Sequence, residues 1–130
     1  MKRRTCLKTL IALGATTVAA RAATSEKPVQ LHVDLAVDPS KEEEMLRTFQ
    51  TIFRPEAAKH AGYIDAKMLK LRTAVRGNGP AGVNYRFSLT FSSEELRQKW
   101  VASPEHKKLW PMIVDTLASK DFTALLFDLT

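Results

Sequence analysis

From Val29 the chain alternates strictly, with Val29, Leu31, Val33, Leu35 and Val37 on one side and Gln30, His32, Asp34 and Ala36 on the other. A two-residue period sends each set to its own face of a strand, so the segment predicts a strand with one apolar face. Asp38-Pro39 follows as an N-cap with proline at the first helical position, and Glu42, Glu43 and Glu44 add negative charge near the helix start. Met45, Leu46, Phe49, Ile52 and Phe53 then recur with helical spacing, one stripe that Pro55 should break or kink and that Ala61-Gly62 ends. Tyr63 to Arg72 reads as a second strand. Gly77 to Gly82 holds three of the five glycines; no helix start follows it, so it is a hairpin connection and not a phosphate loop. Val83, Tyr85, Phe87, Leu89 and Phe91 alternate with Asn84, Arg86, Ser88 and Thr90 as a third strand. Ser92 and Glu95 form a capping box that opens a short helix through Trp100 and Val101. Ser103-Pro104 caps another, with His106, Leu109, Trp110, Ile113, Val114 and Leu117 along one side and a bend at Pro111. Phe122 to Leu129 is the fourth strand.

The order β-α-β-β-α-α-β is a split βαβ unit of the ferredoxin-like type with an extra helix, an α+β fold built on a four-stranded antiparallel sheet. Strands one and three should lie together at its centre, with helices over the apolar sets. The other face then presents His32, Asp34 and Ala36 beside Asn84, Arg86, Ser88 and Thr90. A face this mixed is either solvated or covered by a second copy of the chain.

The stretch before the first strand has a different character. Lys2, Arg3, Arg4 and Lys8 make a cationic start, Thr9 to Ala20 is a short apolar run, and Ala20-Arg21-Ala22 is a small-x-small cleavage site. These features in order predict a secretory signal peptide over 1–22. Arg3-Arg4 with Leu7 and Lys8 resembles the twin-arginine pattern, so the expected partner is that export machinery and the expected location is the periplasm or beyond. Residues 23–28 form a polar tether and 29–130 the domain. A run of 12 residues is too short for a stable membrane span. The segment also changes the charge. The full chain carries 20 Lys+Arg against 14 Asp+Glu, a formal +6; the segment holds five of the basic residues, no acid and the lone cysteine, Cys6. What remains is 15 basic against 14 acidic residues, near neutral, which speaks against a nucleic-acid partner.

Candidate chemistry is sparse. The histidines are 28 and 46 residues apart with no metal-ligand spacing. His32 shares a strand face with Asp34 and is a candidate base, although an Asp34–Arg86 cross-strand ion pair competes for that carboxylate. His106, in the first turn of the last helix, is the other candidate. His60 precedes a helix end, where a cation is favoured. Lys67, Lys70, Arg72 and Arg76 read as a solvated edge.

Leu35 to Met45, His60-Ala61-Gly62-Tyr63, Phe91 to Glu95 and Trp100 to His106 together resemble the antibiotic biosynthesis monooxygenase family, within the dimeric α+β barrel superfamily. The resemblance spans about residues 29–129. It implies a homodimer with sheets packed inside a barrel, and a small-molecule pocket between sheet and helices that Trp100, Trp110, Tyr85 and Phe49 would line. It further implies either a cofactor-independent oxygenase of small aromatics or quinols, or a non-catalytic ligand-binding or haem-binding protein; an accessory interaction module is the third alternative. In haem-degrading members an Asn on the first strand and a His ten positions after a helical Trp carry the haem. Here Trp100 matches, but Val33 and Trp110 stand at the other two positions and His106 lies one turn early, so no cofactor is expected and the haem-ligand position is unmatched.

Overall fold

The computed structural model describes residues 27–130; the expected signal segment, with Arg3, Arg4, Ala20 and Ala22, lies outside the described residues. Strand β1 (Val29–Val37) has the expected two faces. The Asp38 carboxylate accepts from the Ser40 N–H at 2.9 Å, capping a single 3-10 turn (Pro39–Lys41) before helix α1 (Glu42–Thr48). The helical path is not broken at Pro55. It widens into a π turn over Phe49–Phe53 and resumes as α2 (Arg54–Ala57), with Pro55 in the first turn of the new segment. A proline there forfeits little, because first-turn N–H groups have no intrahelical partner anyway. The wider turn also rotates the apolar stripe: Ile52, expected inside, is 41% exposed, while Thr48 and Ala57 join Met45, Phe49 and Phe53 in the interior.

Strand β2 (Tyr63–Lys70) ends before Arg72, and β3 (Tyr85–Phe91) starts after Val83 and Asn84. Asn84 is used otherwise. Its side-chain amide donates to the Val37 carbonyl at 2.9 Å and accepts from the Val37 N–H at 2.8 Å, closing the end of β1. Helix α3 (Glu94–Ala102) is capped by Ser93, one residue later than the expected Ser92 box; Ser93 Oγ accepts from the Leu96 N–H, while the Ser92 N–H donates to the Gly62 carbonyl at 2.7 Å. Helix α4 (Pro104–Val114) runs through Pro111. Strand β4 (Leu117–Asp128) begins five residues before the expected Phe122, so Leu117 pairs with Val37 instead of extending the helix.

The sheet order is β2-β3-β1-β4, antiparallel throughout, with β1 and β3 at the centre. This is the four-stranded α+β ferredoxin-like architecture expected. Val33, Leu35, Phe87 and Leu89 of the central strands pack under Met45, Phe53, Trp100 and Ile113 of the helices as one core. The opposite face carries the Asp34–Arg86 ion pair, with Nε–Oδ1 at 2.6 Å. It also carries Leu125 and Phe127 of β4, both about half exposed, side chains whose placement the alternation of β1 and β3 does not reveal. Among the described residues no helix is long and apolar enough to cross a membrane.

Candidate functional site

Between the helix-facing side of the sheet and the α3–α4 pair lies a cavity of about 360 Å³. Its floor is Leu31, Val33, Phe87 and Leu89; its roof is Trp100, His106 and Trp110; Phe122, Ala124 and Leu126 of β4 form one flank. Val101 and Leu126 are 37% and 43% exposed, which marks the mouth between α3 and β4. A mostly apolar hollow with a few convergent polar groups is the form small-molecule sites take.

One residue joins the two halves of the roof. Ser103 ends α3 and starts α4: its hydroxyl donates to the Trp100 carbonyl at 2.6 Å and accepts from the His106 N–H at 3.2 Å. The corner brings the His106 ring edge-on to Trp100 at 5.1 Å between centroids and parallel to Trp110 at 6.2 Å. His60 meets the Trp100 ring at 4.6 Å, so the indole stands between two imidazoles. Trp100 is 1% exposed, and its Nε1 is a buried side-chain donor without a hydrogen-bond partner. A buried donor left in this state costs about 1–3 kcal/mol, which an acceptor brought by a ligand would recover.

Burial, reinforced by the Arg97 charge, holds the His106 pKa below its ordinary value, so the ring is neutral at pH 7 and able to accept a proton. Arg97 itself is engaged: its guanidinium donates to both Glu94 carboxylate oxygens at 2.6 and 2.8 Å. The site therefore offers a neutral base, one orphan donor and a neutralised cation, a set suited to a neutral or phenolic ligand. No group of three or more His, Cys, Asp or Glu side chains able to hold a metal occurs among the described residues.

Of the residues the sequence nominates, the structure brings Trp100, Trp110 and His106 together. It places the others elsewhere. Phe49 lies in the core, against Phe53 at 6.0 Å and Phe87 at 5.8 Å, and Phe53 separates it from both tryptophans. Tyr85 sits at the far end of β3, where its hydroxyl donates to Glu42; burial and that carboxylate push its pKa up to about 12. Lys70 contacts the same carboxylate at 2.7 Å. His32 is on the other side of the sheet from His106. Its Nε2 meets Gln30 Oε1 at 2.7 Å, and its ring faces Phe127 edge-on at 5.1 Å, so it is not paired with Asp34. Nothing in the sequence marks Arg97 for the site; His60 stands there only as a helix-end cation and Phe122 only as the first residue of the fourth strand.

The residues do not fit haem. The position ten beyond Trp100 holds an indole, which has no lone pair for iron, and Val33 is buried in the floor. His106, one turn before that position, lies in the cavity roof edge-on to Trp100 and parallel to Trp110.

No family model and no curated protein matches the sequence. Solved structures do match. A "putative antibiotic biosynthesis monooxygenase" from Caulobacter crescentus is 16% identical, with a TM-score of 0.66 over 81% of this chain and 92% of that one. SnoaB, a cofactor-independent oxygenase from Streptomyces nogalater, is 13% identical, with a TM-score of 0.56 over 80% and 94%. A dimeric ferredoxin-like protein of unknown function from Thermobifida fusca is 13% identical, with a TM-score of 0.59 over 80% and 92%. The chain thus has the antibiotic biosynthesis monooxygenase-like form of the ferredoxin-like α+β fold.

Proposed function

We propose that the chain is an exported, homodimeric, cofactor-independent oxygenase that acts on a small phenol or quinol in the Trp100–His106–Trp110 cavity. The observation that carries the reading is the buried, unpartnered Trp100 N–H beside a neutral imidazole. In this reading the Trp100 N–H donates to the substrate oxygen, and His106 takes a proton from the substrate. The resulting carbanion adds dioxygen at a ring CH to give a hydroperoxide. Loss of water, with the proton returned to the departing oxygen, leaves a new carbonyl. The substrate supplies all four electrons, one oxygen atom is retained and the other leaves as water. The apolar floor and the stacked tryptophans hold the ring in place and keep the reacting carbon dry.

Export is supported by the Arg3-Arg4 pattern and the Ala20-x-Ala22 site. A second copy is supported by the half-exposed Leu125 and Phe127 on the open sheet face and by the dimeric neighbour of the same fold. Oxygen uptake with a panel of hydroquinones and polycyclic phenols tests the activity. One dioxygen consumed per substrate is expected, and Trp100→Phe, which keeps a ring but removes the N–H, should weaken phenol binding about 5- to 150-fold, the about 1–3 kcal/mol that pairing the buried donor recovers. Phenol binding with no oxygen uptake across the panel would instead make the protein a non-catalytic binder.

A further inference from the structure

We infer that Phe122 sets the size of ligand the cavity admits and restricts it to phenols of no more than two fused rings. The inference rests on the cavity being the ligand site proposed above and concerns what that site accepts. Its starting point is the exposure of β4. Beyond Leu117, Phe122 is the one residue of the strand that withdraws from solvent.

Strand pairing explains why. Asp34 opposes Thr123 and Ala36 opposes Ser119, so Lys120, Asp121 and Phe122 stand against Leu35 alone. Two surplus residues on one strand make a bulge, and a bulge bends its strand and re-aims a side chain beside it. Here the Phe122 ring meets Trp110 edge to face at 5.7 Å, at the end of the cavity flank. Along that flank the helix-facing residues run Phe122, Ala124, Leu126: large, small, large. Room exists over Ala124, which lies opposite Val33. A ligand that enters past Leu126 and lies on Val33 extends toward Phe122, and a third ring in line collides with it.

Phe122 is only partly buried and packs at the edge of the core beside Trp110, so its removal should open space without unfolding the sheet. A large-to-small change in an apolar wall leaves a hollow on the order of 150 Å³, the size that admits one benzene ring. Without a size limit the larger phenol would bind more tightly, because it buries more apolar surface. The expected preference therefore runs against hydrophobicity, which makes it diagnostic.

Titration calorimetry of the full chain with 2-naphthol and 2-hydroxyanthracene tests this. Wild type should bind 2-naphthol at least tenfold more tightly; Phe122→Ala should remove or reverse the preference, and Phe122→Leu should fall between. Circular dichroism checks that both variants fold. If phenols bind and the ratio moves less than twofold in both variants, the inference is overturned while the proposed function stands. If neither phenol binds wild type or variants, the cavity is no phenol site and both fall.

Discussion

Gly62 gives the sharpest test of how the fold holds the site. It turns the chain from α2 into β2 at φ +90°, and a Cβ built there would lie 2.7 Å from Leu96 Cδ1 and 2.8 Å from Leu96 Cβ. Gly62→Ala therefore meets two penalties. The positive φ strains an L side chain by about 1–3 kcal/mol. The contact with Leu96 Cβ cannot be escaped by a rotamer change, so α3 itself must shift, an overpacking cost of about 1–3 kcal/mol. Together they predict a loss of about 3 kcal/mol, or roughly 12–24 °C in Tm for a domain of this size. Chemical denaturation gives the first number and calorimetry the second. Gly62→Asn separates the two penalties, because Asn tolerates positive φ but still carries a Cβ; it should be destabilised less than Gly62→Ala and by more than about 1 kcal/mol. Since α3 carries Arg97 and Trp100, both variants should also weaken ligand binding. A Gly62→Ala protein within about 1 kcal/mol of wild type would refute the reasoning.

Other outcomes follow from single contacts. Asn84→Ala strips both partners from the Val37 peptide groups and should cost about 1–3 kcal/mol in urea unfolding; Asn84→Asp keeps the acceptor for the Val37 N–H and should recover part of it. Burial depresses the pKa of both His106 and His32. The stability they support is thus fully present above the unfolded value of about 6.5 and is lost as pH falls below it toward their folded values. Urea midpoints at pH 7.5 and pH 5 measure that loss, and in oxygenase assays the acid limb should lie below pH 6.5 and disappear in His106→Gln. Phe127→Asp places a charge on the open sheet face and should convert a dimer to a monomer in analytical ultracentrifugation; a wild type that is already monomeric at micromolar concentration defeats the dimer reading.

Strand alternation was legible because burial on one face leaves a two-residue signature, and β1 and the centre of β3 show it cleanly. What escaped depended on partners distant in sequence. Asn84 looks like a polar strand residue until the end of β1 is beside it. The π turn that accommodates Pro55 leaves no local mark, so Ile52 was placed inward. The expected Ser92 cap and the observed Ser93 cap differ by one residue: Ser93 Oγ takes the Leu96 N–H, and the Ser92 N–H, which a capping box would give to Glu95, goes to Gly62, thirty positions earlier. The site shows the same division. Trp100 and Trp110 could be nominated from the family resemblance, and His106 from its place in the first turn of the last helix. The exclusion of Phe49 and Tyr85 could not, because it is decided by Phe53 standing between Phe49 and the tryptophans and by Glu42 reaching Tyr85. Likewise His32 and His106 look equivalent as residues, and only the sheet between them tells the two apart.

Ser103 has a wider meaning than its two hydrogen bonds. Because one hydroxyl binds the backbone of Trp100 and of His106, the spacing between indole and imidazole belongs to a corner, not to either helix. The far ends of α3 and α4 can tilt, lengthen or accept substitutions without changing that spacing. The shape of the cavity roof is thereby insulated from drift in the scaffold, and a lineage could remodel most of both helices while this short joint keeps the spacing.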